Sequence, residues 1–126
     1  MKDRSTPMAR VLGYGSAKEG TGHWWTQRVL SVGILILGIW FLVALARLPG
    51  SGHADLTLWL GNPVNAILLL LLVISVARHS DLGIQVIIED YVHQPLVKVV
   101  AIVVSKFLHA LLAAASAFAI LSIAFR

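Results

Sequence analysis

Three long apolar stretches divide the chain. The first runs from about Val29 to Leu48, and only Arg28 and Arg47 bracket it with charge. The second opens with an unbroken apolar run, Ala66 to Ala77. It meets Arg78-His79-Ser80-Asp81, resumes as Leu82 to Ile88 and ends at Glu89-Asp90-Tyr91. The third covers Leu96 to Phe125, with Lys98 and Lys106 in its first third. A helix rises about 1.5 Å per residue, so each stretch is long enough for a hydrocarbon core about 30 Å thick. Pro49-Gly50-Ser51-Gly52 ends the first stretch as a turn, and Pro95 precedes the third. Pro63 suits the first turn of the second helix. Residues 49–62 are expected to form a short loop, with Leu56 to Leu60 in the interface. The pattern predicts an all-α membrane protein with three transmembrane helices, at about 29–48, 63–88 and 96–125. An Ala/Ser-rich stretch, Ala113 to Ala119, would permit close approach of another helix.

Composition supports this division. Of 126 residues, 58% are hydrophobic and 13% charged. Soluble domains carry about 25% charge, so a water-soluble globule is excluded. There is no cysteine, which removes disulfides, thiol nucleophiles and iron–sulfur ligation by this chain. The net charge of +4 matters through its placement. Lys2, Arg4, Arg10, Lys18 and Arg28 lie in a polar, Gly-rich segment 1–28, and Arg78, Lys98 and Lys106 flank the second connection. Only Arg47 and Arg126 fall on the other side. Eight against two predicts a cytoplasmic N-terminus, an inside 89–96 loop and an outside C-terminus. No apolar leader core precedes residue 29, so residues 1–28 are expected to be a mature cytoplasmic tail of a multi-pass bacterial inner-membrane protein. Residues 29–126 form the anchor domain. Trp24 and Trp25 stand where an interfacial aromatic belt belongs. Nothing points to a nucleic-acid partner.

Chemistry concentrates inside the second stretch. His79 lies about 16 Å from Asp90 along the axis, close to mid-bilayer. An ionisable residue at that depth is a functional candidate by default. Arg78 and Asp81 are i, i+3 and can neutralise each other, which leaves His79 unexplained. Gly83 is one turn away on the same face, where a missing side chain leaves room for a flat cofactor. Asp90, eleven positions from His79, returns to within about 20° of it. The three form one stripe running inward. Read alone, His79 admits three roles: a hydrogen-bonding link to a neighbouring helix, an axial ligand to heme iron in a bundle interior, or a step in a proton path. His109, at similar depth in the third stretch, is a rival ligand or a satisfied interhelix histidine. At Glu89-Asp90-Tyr91 a phenol can donate to a quinone carbonyl beside a proton-exchanging carboxylate, although interfacial tyrosine needs no function. His23, His53 and His93 fall in tail or loops, where a solvated histidine is expected. No HExxH pattern or phosphate-binding glycine loop is present.

These residues resemble a known signature. His79-Ser80-Asp81-Leu82-Gly83 followed by Gln85-Val86-Ile87-Ile88-Glu89-Asp90-Tyr91-Val92-His93 is similar to the hydrophobic membrane anchor family of succinate dehydrogenase, respiratory complex II. The shared spacing is a histidine, three residues, a glycine, six residues, then Asp-Tyr-Val. The segment from Gly15 to Val29 also looks like the bacterial members, and three spans match the family's plan.

The resemblance implies roles that periodicity does not. His79 would ligate heme b, with the other axial ligand on a second membrane anchor, of the cytochrome b type. Tyr91 would hydrogen-bond ubiquinone, with Asp90 beside it in the quinone pocket. Arg28 and, less directly, His23 would face the heme propionates. FAD and iron–sulfur clusters would belong to partner flavoprotein and iron–sulfur subunits, so no catalytic residue is expected in this chain alone. It would act as one component of succinate:ubiquinone reductase, helping pass electrons from the iron–sulfur subunit to quinone. The family pattern departs at Arg78 and Asp81, which place charges beside the ligand. The rival readings are an anchor that only docks soluble subunits, and a small ion- or proton-conducting protein using Arg78, His79, Asp81 and Lys106.

Overall fold

The computed structural model describes residue 8 and residues 20–48, 50 and 52–125. Lys2, Arg4, Arg10, Lys18, the Gly15–Glu19 part of the N-terminal motif, Pro49, Ser51 and Arg126 lie outside the described residues. Among the described residues these helices follow in order: α1 (Gly20–Ala46), α2 (His53–Leu60), α3 (Pro63–Tyr91) and α4 (Pro95–Ala124). Helices α1, α3 and α4 are each long and apolar enough to cross a membrane.

Two boundaries differ from the expected ones. Helix α1 starts nine residues before Val29, so the expected tail is helical from Gly20 onward. Gly20 and Gly22 read as loop formers, yet a Gly costs a helix only about 1 kcal/mol relative to Ala, and the helix runs through them. The expected 49–62 loop contains α2. Its Trp59 is held in place: it stacks on Trp40 of α1 with ring centroids 5.9 Å apart, and Phe41 lies 6.3 Å from it. Asn65 Nδ2 donates to the Trp59 carbonyl at 2.8 Å, tying α2 to the start of α3.

The ends of α3 are closed locally. Asn62 Oδ1 accepts from the Val64 N–H at 2.9 Å, and Pro63 fills the first helical position. At the other end Lys98 Nζ donates to the Glu89 carbonyl at 2.9 Å, satisfying one of the carbonyls a helix leaves open. Polar residues elsewhere in the spans bond their own backbone: Ser31 Oγ to the Gln27 carbonyl at 2.9 Å and Ser122 Oγ to the Ala119 carbonyl at 2.9 Å. Such self-satisfaction is what a helix in lipid requires.

Helix α3 is central, with α1 on one flank and α4 on the other. Among the described residues α1 and α4 make no close backbone approach to each other. The apolar core is small: Leu60, Ala66 and Ile120 cluster at the α2 end, while Leu72 and Leu82 are buried along α3. Large apolar side chains such as Leu35, Ile36, Phe107 and Phe118 point outward. That surface is untenable in water and suits lipid or other subunits.

Candidate functional site

Helix α3 presents different chemistry to its two neighbours. Toward α1 stands Gly83: a Cβ built there would meet Gln27 Nε2 at 3.7 Å and no other heavy atom within 4 Å. The notch expected at this glycine is therefore bordered by one amide of α1. His79 is one turn away on the same face. It is half-buried, and its Nδ1 is buried with no hydrogen-bond partner. His23, one turn before Gln27 on α1, has Nε2 in the same condition. A buried ring nitrogen without a partner costs about 1–3 kcal/mol, so two such groups near one seam need an explanation.

Toward α4 most polar groups satisfy one another, although Asp81 Oδ1 is buried without a partner. Arg78 Nη1 and Asp81 Oδ2 form the anticipated i, i+3 ion pair at 2.8 Å. Lys106 Nζ lies 3.6 Å from the same oxygen and donates to Gln85 Oε1 at 2.9 Å. Gln85 Nε2 in turn donates to Glu89 Oε1 at 2.7 Å. The Lys106 contact with Asp81 was not anticipated from sequence. The signal was available: both lie about 15 Å from the 92–94 turn on adjacent helices. His109 is the satisfied interhelix histidine. Its Nδ1 meets the Ser105 carbonyl at 2.8 Å and its Nε2 meets Ser80 Oγ at 3.1 Å.

The remaining candidates lie at the helix ends. Asp90 and Tyr91 are exposed, Tyr91 by 77%, so this chain alone leaves the phenol open for a ligand or neighbour. Arg28 is exposed, with its guanidinium 5.5 Å from the Trp24 ring centroid. His23 and Arg28 stand about 140° apart around α1, so the two residues expected at heme propionates do not converge. His93 and His53 are exposed, as expected for loop positions, although His53 opens α2. Among the described residues no cluster of three or more His, Asp or Glu could hold a metal ion; a porphyrin iron asks only one ligand of each helix. The donor set fits that group: one mid-span imidazole with an unpartnered nitrogen, beside a glycine notch.

Residues 2–122 match the family of succinate dehydrogenase/fumarate reductase transmembrane subunits. The chain belongs to this family. Curated relatives agree. The succinate dehydrogenase hydrophobic membrane anchor subunit of Rickettsia bellii is 34% identical over 71% of this chain and 72% of its own length. That of Paracoccus denitrificans is 35% identical over 68% and 67%. The succinate dehydrogenase membrane anchor subunit of Reclinomonas americana is 27% identical over 79% and 92%. No solved structure matches the chain. As a succinate dehydrogenase membrane anchor the chain is membrane-integral and works in a complex with other subunits. The sparse core and outward apolar side chains of α1, α3 and α4 are what such an anchor needs, because much of its surface is buried only by lipid and neighbours.

Proposed function

We propose that this membrane anchor contributes one axial ligand, His79, to heme b and holds ubiquinone near Tyr91 and Asp90. The observation that carries the heme assignment is the contrast between the two mid-span histidines. His109 spends both ring nitrogens on its own chain, whereas His79 keeps a buried nitrogen with no partner. A neutral imidazole is a good iron ligand, and its second nitrogen is usually oriented by an acceptor. A second membrane anchor of the cytochrome b type would supply the other axial ligand. Bound heme b supplies a one-electron redox couple. His23 would donate through its buried Nε2 to a porphyrin carboxylate, and Arg28 would have to leave Trp24 to join it.

At the quinone, the Tyr91 hydroxyl donates to a carbonyl oxygen. As the ring takes up two electrons that oxygen becomes more negative, and the preorganised donor favours the reduced form. Glu89 and Asp90 are exposed beside the phenol at the end of α3, where they can exchange the two protons the quinol requires. The electrons come from an iron–sulfur subunit, fed by a flavoprotein that holds FAD and oxidises succinate. The Lys and Arg distribution supports an inside 89–96 loop in a bacterial inner membrane, which puts the quinone on the side of those soluble subunits.

Turnover with two acceptors tests this reading. In the whole complex, Tyr91→Phe is expected to lower ubiquinone reduction roughly tenfold or more, as loss of a hydrogen bond of about 1.5–3 kcal/mol implies. Succinate oxidation with an artificial dye should stay unchanged. Equal losses with both acceptors would indicate misassembly and contradict the assignment.

A further inference from the structure

The middle of the α3–α4 seam holds two cations and one anion. Arg78 lies near the midpoint of α3, about 20 Å from Tyr91, and Lys106 about 16 Å into α4. The Arg78 and Lys106 side chains are 55% and 44% exposed, whereas that of Asp81 is 7% exposed. Asp81 Oδ2 serves both cations, and Oδ1 is buried with no partner. One positive charge is left in excess near the middle of the span. These groups line a cleft of about 260 Å³ whose other walls include Ala77, Ala110 and Ala113.

The exposed cations need an occupant that matches them. Ionisable groups inside a membrane face a protein partner or water, not acyl chains. Neither cation reaches along its helix to a headgroup, because Arg78 is tied to Asp81 and Lys106 to Asp81 and Gln85. A phospholipid phosphate is too shallow to meet them. A porphyrin on His79 lies elsewhere, since successive residues of a helix point about 100° apart. The alanine walls admit a helix backbone closely. Arg78 uses one of its five N–H donors on Asp81, leaving others for a second carboxylate. We infer that this cleft receives a membrane-spanning helix from another protein of the complex, bearing an aspartate or glutamate at the depth of Arg78. The inference uses the chain's place in a membrane complex and does not depend on heme or quinone binding.

A small photoreactive diazirine side chain at position 110, in the whole complex in native membranes, reads the occupant directly. Irradiation should join it to an apolar span of another subunit, and peptide mapping should place an Asp or Glu within a turn of the link. A variant with Arg78→Met, Asp81→Asn and Lys106→Met removes all three charges and so leaves no unpaired ion in this chain's cleft. It should insert normally yet give at least a fivefold lower cross-link yield, whereas Arg78→Lys should retain most of it. A link only to lipid, to a second copy of this chain, or to a span without a carboxylate would overturn the inference. So would an unchanged yield in the neutral variant. The mapped peptide from the unsubstituted cleft decides the matter even if that variant fails to insert.

Discussion

His79 and His109 lie at similar depth on adjoining helices, and their own chain treats them differently. Ser80 and Ser105 take both nitrogens of His109, which makes that ring a link between α3 and α4. Removing it leaves the half-buried Ser80 hydroxyl without its interhelix partner. We expect His109→Ala to lower the thermal midpoint of the purified complex, at a cost of about 1–3 kcal/mol, with no change in its visible spectrum. A spectral change with unaltered stability would mean that the two histidines have been assigned the wrong way round. Sequence spacing places both rings near mid-bilayer but cannot rank them. The decision depends on Ser80 pointing to α4 while Gly83 points to α1, which is a matter of helix rotation.

At the scale of elements, the start of α3 is set by one side chain. Asn62 accepts the Val64 N–H, and Pro63 pre-sets the first turn. Asn62→Ala should destabilise the complex by about 1 kcal/mol, read as a lower thermal midpoint with unchanged turnover per assembled complex. An unchanged midpoint would show that packing of Trp59 and Asn65 alone holds this corner. The three spans were legible in sequence because lipid allows few polar residues in 20 consecutive positions or so. Helix α2 was not. His53–Leu60 has only eight residues, too short to stand alone, and it exists because Trp59 finds Trp40 and Phe41 across the turn. The early start of α1 was hidden by glycines whose penalty is small beside the hydrogen bonds of a continuing helix. The i, i+3 pair of Arg78 and Asp81 was legible as a local spacing; Lys106 joins it from α4, at a depth the sequence gives, but helix rotation decides that the two side chains face each other.

For the molecule as a whole, charge placement predicts an orientation that can be tested without a structure. The chain has no cysteine, so a single introduced thiol reports its own side of the membrane. In intact cells, His53→Cys should react with a membrane-impermeant maleimide. His93→Cys should react only after permeabilisation. The opposite pattern would put the 92–94 turn outside and separate Tyr91 from the soluble subunits. Helix α3 presents three features in different places: an unpartnered imidazole beside a glycine toward α1, a charged cleft toward α4, and an exposed phenol at its C-terminal end. The chain buries little of itself, which leaves these faces open to other components of the complex. The most direct measurement is the reduced-minus-oxidised visible spectrum of the complex carrying His79→Ala beside the unsubstituted complex. A lost or shifted b-type signal is the predicted result. An unaltered signal from a fully assembled complex would contradict iron ligation by this chain.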